Sequence, residues 1–179
     1  MPLLSQSFSR DANFVPVTNY GFTVATSSTL SASNTTATNV LFSVTGVVLV
    51  KALYGIVTTV LSSNVTAAYW QTNDQTATPD ISLATGTTLS SAAVGSLLLR
   101  ISTVGVALTL ADAVAGRVND LVAATAPDVF MPFIVTQKTA SVLTTIDFTY
   151  STTNTPATGV IKFYVSYLPL SDGSSIVAV

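Results

Sequence analysis

The longest run of apolar positions in the chain extends from Val40 to Leu61 and contains a single charge, Lys51. The run is long enough to be weighed as a membrane span, but a charge at its middle is costly in lipid, and two glycines interrupt it. Half of its residues are Val, Ile or Thr, whose branching at Cβ favours a strand over a helix. The pattern therefore predicts two strands, Val40–Val50 and Ala52–Leu61, at the centre of an all-β core.

The carboxyl third of the chain alternates between apolar and polar residues over Val142–Tyr150 and Gly159–Leu168. A period of two is typical of strands with one buried and one solvated face. We expect residues 151–158 to form a hairpin loop between these strands, and Ser171–Gly173 to form a tight turn before a last strand, Ser175–Val179. The faces predicted to be buried hold Ile146, Phe148 and Tyr150 in the first strand and Ile161, Phe163, Val165 and Tyr167 in the second.

Shorter strands are predicted between these two regions. Trp70, the only tryptophan, is expected in the core because burying so large a side chain is favourable. Pro132 cannot donate a hydrogen bond to a sheet, so its strand is expected at an edge or a bulge. The predicted strands are Val65–Thr72, Ile81–Ala84, Gly95–Val104 and Val129–Gln137, with Asn73–Asp80 as a loop.

Only the segment Leu110–Ala124 has apolar residues at helical spacing. It is interpreted as a short helix, and a strand followed by a loop is the alternative. With nine or ten short strands separated by turn residues, the chain is predicted to be all-β. The expected fold is a single antiparallel β-sandwich or jelly-roll-like domain with an extended N-terminal arm and at most one short helix.

Residues 1–38 are predicted to form this arm and a following loop, and residues 39–179 the β-sandwich body. Asn13–Val24 could supply one or two short strands, whereas Ala25–Thr38 is rich in Ser and Thr and is predicted to be an exposed loop. Aromatic and apolar residues along the arm are expected to contact a neighbouring subunit, and a loosely attached terminus is the alternative. The candidate interface residues are Phe8, Phe14, Val15 and Tyr20.

Charged residues make up only 8% of the 179 residues, so hydroxyl groups, from 29 Thr and 21 Ser, must provide most of the polar surface. The net charge is −2, and no segment is basic enough to follow a phosphate backbone. Neither nucleic acid nor a membrane is therefore an expected partner. The amino terminus lacks the basic and long apolar regions of a secretory leader, so secretion through a cleaved signal is not expected.

The side chains most used in catalysis are missing, because the chain has no His, no Cys and no Glu. Its nine glycines are too widely spaced for a dinucleotide or phosphate-binding loop. We therefore expect no enzyme, no cofactor and no metal site. Two weaker alternatives stay open, which are a calcium ion shared by Asp74 and Asp80 and a distant pair of Asp carboxylates acting on a glycoside.

Low charge lowers the cost of burying a surface, which favours a protein that contacts other proteins over a large area. The aromatic arm, the Ser/Thr/Ala/Val-rich body and the closing sequence GVIKFYVSYLPLSDGS resemble structural proteins of tailed bacteriophages. In size and layout the chain is most similar to capsid decoration, or cement, proteins. The resemblance implies a homotrimer that binds the major capsid protein on the outside of the shell, in a virion assembled in the host cytoplasm. The alternative is a tail or head-fibre component that binds a receptor or a glycan.

Overall fold

Residues with branched and aromatic side chains form two antiparallel sheets that face each other across the core. The computed structural model describes residues 21–75, 80–100, 106–107, 109–111, 132–139, 142–153 and 155–179. Within these ranges no residue is helical and eleven strands are present. They are β1 (Phe22–Thr29), β2 (Thr36–Thr45), β3 (Val47–Thr59), β4 (Val65–Asn73), β5 (Ile81–Ser82), β6 (Leu97–Leu99), β7 (Thr109–Ala111), β8 (Phe133–Thr136), β9 (Thr144–Thr152), β10 (Val160–Pro169) and β11 (Ser175–Ala178).

The strand order is that of a jelly roll. The first sheet has the order β1-β10-β3-β6-β7, with β8 also paired to β3, and the second has the order β11-β2-β9-β4-β5. Its pairs are nested, because β1 pairs with β10, β2 with β9, β3 with β6 and β4 with β5. A long antiparallel ribbon rolled up on itself produces this nesting and leaves two four-stranded sheets face to face, to which β7 and β8 are added in the first sheet and β11 in the second. The prediction of an all-β, jelly-roll-like sandwich is confirmed.

The core between the sheets is built around an aromatic cluster. Trp70 is fully buried, with its ring centroid 6.3 Å from that of Phe163 in an edge-on arrangement. The ring centroids of Phe148 and Phe163 are 4.9 Å apart. Because Phe148 belongs to β9 and Phe163 to β10, this contact packs the two sheets against each other. Edge-on and tilted ring pairs add about 0.5–1.5 kcal/mol beyond the area that they bury. The prediction that Trp70 belongs to the core is confirmed.

The boundary predicted at Lys51 is wrong. The chain changes sheets at Gly46, between β2 and β3, where a left-handed backbone (φ +68°) makes a sharp corner. Gln137 closes this corner, because its side chain accepts a hydrogen bond from the Gly46 N–H at 2.8 Å and its own N–H donates to the Gly46 carbonyl at 2.7 Å. Lys51 is instead the extra residue of a β-bulge inside β3, since Val50 pairs with Tyr167 and Ala52 with Ser166.

The exposed loop predicted for Ala25–Thr38 is also wrong. Residues 22–29 form β1, which pairs with β10 along its full length, and Thr36 already begins β2. The sandwich therefore includes residues 22–38, which were predicted to belong to the arm and loop. Ser and Thr mislead here because β1 is an edge strand that turns several hydroxyl side chains toward solvent.

Residues 151–158 do not form the predicted hairpin loop. β9 ends at Thr152 in the second sheet and β10 begins at Val160 in the first, so the chain crosses from one sheet to the other. The β10 alternation is confirmed, with Ile161, Phe163, Val165 and Tyr167 buried. In β9 the predicted solvated face is wrong, because Thr145, Asp147 and Thr149 are buried as well.

The remaining predicted elements differ mainly in extent. The strand at Val65–Thr72, the strand at the carboxyl end and the tight turn at Ser171–Gly173 are confirmed. Within the described residues, the strands predicted at 81–84, 95–104 and 129–137 are shorter than expected, and residues 101–104 and 129–131 lie outside the described ranges. Pro132 directly precedes β8, which pairs with β3. The predicted helix over 110–124 begins instead within strand β7, and residues 112–124 lie outside the described ranges.

Candidate interaction surface

The outer face of the first sheet is apolar at positions where solvated sheets usually carry charge. Side chains that point away from the core alternate with buried ones along β3 and β10, and the strand register brings them together. Leu49 lies between Leu168 on one side and Ile134 of β8 on the other. We call this surface the tyrosine face and define it by Leu49, Tyr54, Ile56, Ile134, Tyr164 and Leu168.

Two stacked tyrosines lie near the middle of the tyrosine face. Tyr54 and Tyr164 are directly opposite each other on β3 and β10, with ring centroids 4.9 Å apart and planes within 10° of parallel. Lys162 extends over the Tyr164 ring, with its ammonium 5.5 Å from the centroid. Partial burial raises the pKa of the Tyr54 phenol, and Tyr164 raises it further, so the hydroxyl stays neutral at physiological pH. The stack is a flat platform with hydrogen-bonding hydroxyls.

Few charges interrupt this sheet. Its six strands contain two charged residues, Lys51 and Lys162, and no acid. Ile134, in the centre of β8, is 61% exposed. An apolar surface with so little charge can be buried against another protein at a low desolvation cost.

A cavity of about 750 Å³ opens at one end of the sandwich, between the end of β4, the start of β5 and strand β8. Both sheets contribute to its wall, and Ile81 and Ile134 are its most exposed apolar residues. Lys138 and Asp74 form an ion pair of 2.7 Å at its surface. The wall consists of Thr72, Asp74, Asp80, Ile81, Leu83, Arg100, Phe133, Ile134, Val135, Thr136, Gln137, Lys138 and Thr144.

Arg100 places a buried cation in the wall of this cavity. Its Nε donates a hydrogen bond of 2.8 Å to the Leu83 carbonyl, and its guanidinium carbon lies 4.4 Å from the centroid of the Phe133 ring. Burial lowers the pKa of Arg100 from its usual value, but an arginine retains its proton at neutral pH. A polar ligand that enters the cavity would meet apolar walls and a few fixed hydrogen-bonding groups, which is typical of small-ligand sites.

The outer face of the second sheet carries a buried carboxyl group. Asp147 of β9 has no exposed surface, and neither of its carboxylate oxygens has a hydrogen-bond partner of good geometry. Burial raises the pKa of Asp147, and the nearby Asp80 raises it further. The Thr145 hydroxyl and the Asn73 amide lie close enough to offset part of that shift.

The residues predicted to form the interface, Phe8, Phe14, Val15 and Tyr20, lie outside the described ranges. Asp74 and Asp80, considered for a shared calcium ion, both line the cavity but have different partners. Asp74 pairs with Lys138, whereas Asp80 accepts a hydrogen bond of 2.6 Å from the Gln71 amide. Within the described ranges, no three His, Cys, Asp or Glu side chains are grouped as metal ligands.

Sequence reasoning missed three features of these surfaces. The alternation along each strand could have placed Tyr54 and Tyr164 on an outward face. Their pairing depends on the register between β3 and β10, which no local sequence pattern reveals. Arg100 gives no local signal, because its partners Leu83 and Phe133 lie far along the chain. Asp147 does give a local signal, because it is the only charged residue in a strand of alternating apolar and hydroxyl side chains.

Comparisons with known proteins return no relatives. No family model, no curated protein and no solved structure matches the chain. Among the described residues there is also no helix long and apolar enough to cross a membrane.

Proposed function

We propose that this protein is a virion structural protein that oligomerises and binds the exterior of a capsid as a decoration protein, stabilising the shell. The observation that carries the proposal is the tyrosine face, a broad apolar sheet surface whose strands contain no acidic residue. Viral capsid proteins are among those that use the jelly roll, although the fold serves other functions too. The role is non-catalytic and draws on contact area rather than on reactive side chains.

The contact would gain its free energy from burial of the tyrosine face. Burial of apolar surface contributes roughly 25 cal/mol per Å², and a stable interface of standard size buries about 800 Å² on each partner. Aromatic side chains are enriched in such interfaces, and the Tyr54–Tyr164 stack presents two that are already ordered. We assign this face to contacts with neighbouring copies of the chain, as in a trimer, or with the capsid protein.

The first test compares lysine substitutions on the two sheets. The double variant Ile134→Lys, Leu168→Lys places charges on the tyrosine face, and Val177→Lys places one at an exposed position of β11 in the other sheet. Light scattering should find an oligomer for the wild type and for Val177→Lys, and a monomer for the double variant, with circular dichroism unchanged in all three. A monomeric wild type, or an unchanged double variant, would refute the assignment of this face to contacts between copies of the chain.

The second test measures attachment to capsids stripped of the protein. Because few ions take part, binding should weaken by less than about tenfold between about 0.05 and 0.5 M salt. The double variant should bind less tightly than Val177→Lys at every salt concentration. A loss of several orders of magnitude with salt would contradict an interface based on apolar contact.

The end cavity favours a second candidate function, that of a tail or head-fibre component which binds a receptor or a glycan. Its wall combines Thr72, Gln137 and Lys138 with apolar side chains, and thus offers the hydrogen-bonding groups that a sugar requires. A glycan array probed with the wild type and with Lys138→Ala tests this role. Binding that the substitution abolishes would favour the fibre, and an array without signal would favour the decoration protein.

A further inference from the structure

A cluster of oxygen-bearing side chains covers part of the outer face of the second sheet. Asp147 and Thr145 of β9 lie directly opposite Gln71 and Asn73 of β4. Residues opposite each other in an antiparallel pair point to the same side, so these four side chains share one face. Asp80 joins them just before β5, where its carboxylate accepts the hydrogen bond from Gln71.

Three oxygens of this cluster lack the partners that buried polar atoms normally have. They are both carboxylate oxygens of Asp147 and the hydroxyl oxygen of Thr145, and the two residues are 0% and 6% exposed. Most buried polar atoms in native proteins have a hydrogen-bond partner, and an ionised carboxylate without one is especially unfavourable. The Thr145 hydroxyl and the Asn73 amide lie near the Asp147 carboxyl but make no hydrogen bond of good geometry to it, so the cluster can still accept a positively charged or hydrogen-donating group.

The charges around Asp147 point to a cation. The charged group that acts on its carboxyl is Asp80, which is also negative and raises the cost of ionising Asp147. Asp80 is exposed, so an ion could reach the cluster from solvent on its side. A divalent cation between the two would neutralise both.

The donor atoms select among cations. The cluster offers carboxylate, amide and hydroxyl oxygens and no nitrogen or sulfur ligand, which suits a hard cation. Calcium accepts six to eight oxygens in flexible geometry, whereas magnesium demands a near-ideal octahedron. Neutral oxygens of Gln71 and Thr145 can supplement the two carboxylates, whereas the Asn73 oxygen already accepts a hydrogen bond of 2.7 Å from the Gln75 N–H.

We propose that Asp147 and Asp80, together with the side-chain oxygens of Thr145 and Gln71, bind one calcium ion on the outer face of the second sheet. The site ties β9 to β4 and to the start of β5 at the edge of the sandwich. It is independent of the proposed virion function. It also differs from the pairing of Asp74 with Asp80 considered from the sequence.

Calorimetric titration of the full chain, stripped with EDTA, tests the site with calcium itself. One ion per chain should bind, and calcium at about 100 times its Kd should raise Tm by roughly 5–10 °C. Asp147→Asn should abolish both responses, whereas Asp172→Asn, in an exposed turn, should retain them. If Asp147 had only a structural role, none of these proteins would respond to calcium. The titration therefore distinguishes a calcium site from a purely structural carboxyl.

Two further measurements keep the proposal open to refutation. Asp80→Asn alters an exposed position and should fold even if Asp147→Asn does not, and we expect it to weaken calcium binding at least tenfold. No heat and no change in Tm for the wild type at millimolar calcium would overturn the site. An equal rise in Tm with magnesium at the same concentration would overturn the assignment to calcium.

Discussion

At the scale of single residues, the corner at Gly46 decides whether the chain can pass from one sheet to the other. Its backbone is left-handed, and a Cβ atom there would collide with the Ser174 hydroxyl. We expect Gly46→Ala to lower the free energy of unfolding by about 1–3 kcal/mol, because strain and collision both act on it. Urea denaturation followed by tryptophan fluorescence measures the change.

Gly173 provides the matched control for this substitution. It has a similar left-handed conformation (φ +75°), but a Cβ atom there would meet nothing within 4 Å. Gly173→Ala should therefore cost only the backbone strain, about 1 kcal/mol. Equal losses in the two variants would show that the contact with Ser174 contributes nothing.

The buried carboxyl of Asp147 gives the protein an unusual pH dependence in calcium-free buffer. Its pKa is raised above the ordinary value of 3.8, so the native state binds this proton more tightly than the unfolded chain does. The free energy of unfolding should therefore fall as the pH rises from about 4 through the native pKa, and stay level above it. Denaturation of the wild type and of Asp147→Asn between pH 4 and 7 measures this contribution.

We expect Asp147→Asn to be the more stable protein at pH 7, by about 1 kcal/mol, and to lose its advantage toward pH 4. Asp80 is the charged group that acts on Asp147, and the Asn73, Gln71 and Thr145 side chains around it are neutral. Because the two proteins differ only in the Asp147 carboxyl, a pH-dependent difference between them reports that group. A difference between the two proteins that does not vary with pH would contradict a raised pKa.

Alternation along β9 could assign Asp147 to a face but not to its environment. The sequence placed Thr145, Asp147 and Thr149 together on one side, which is correct, and predicted that side to be solvated, which is wrong. A period of two says which residues point the same way and carries no information about what lies above them. The buried acid was therefore invisible as a site even though its position in the strand was known.

At the scale of elements, strand existence could be predicted wherever apolar and polar residues alternate strongly, as in β10 and β4. The failures share one physical reason. Thr and Ser suit both loops and exposed strand faces, so the residues of β1 gave no signal, and a lysine in a bulge imitated a strand end at Lys51. Gly46 was the better indicator of a boundary, because only glycine adopts that corner without strain.

The position of each strand in its sheet predicts how long its amide protons are protected from exchange. β10 lies between β1 and β3 and is paired along its length, whereas β11 is an edge strand that pairs with β2 over four residues. Hydrogen–deuterium exchange followed by mass spectrometry should find β10 peptides exchanging only through global unfolding. Peptides from β11 should exchange earlier, through local opening.

Strand β9 is the internal control for this experiment, because it is the central strand of the other sheet, between β2 and β4. Its peptides should exchange as slowly as those of β10 if the two sheets unfold together. Faster exchange in β9 than in β11 would contradict the strand order.

At the scale of the whole molecule, the nested pairing is what the sequence could not supply. β1 and β10 are separated by more than a hundred residues, and no local pattern marks them as partners. The same holds for the surfaces, because the tyrosine face needs β3, β8 and β10 together, and the cavity needs both sheets. Composition did indicate correctly that a fold of many short strands was required, since Val and Thr leave few other ways to bury the core.

Within the described residues, the buried core of the sandwich begins at Leu30, with Val24 packed against it. Removing residues 1–14 deletes Phe8 and Phe14 but no strand and no core residue of the described structure. We expect the shortened protein to keep its circular dichroism spectrum and, when both are measured as monomers, the same Tm as the full chain. We expect it to form a weaker oligomer or to attach less tightly to particles. Sedimentation at several concentrations measures the oligomer, and the Phe8→Ala, Phe14→Ala variant tests the aromatic side chains alone. Unchanged association in both proteins would leave the tyrosine face as the sole proposed contact, whereas a loss of folding would mean that the segment belongs to the core.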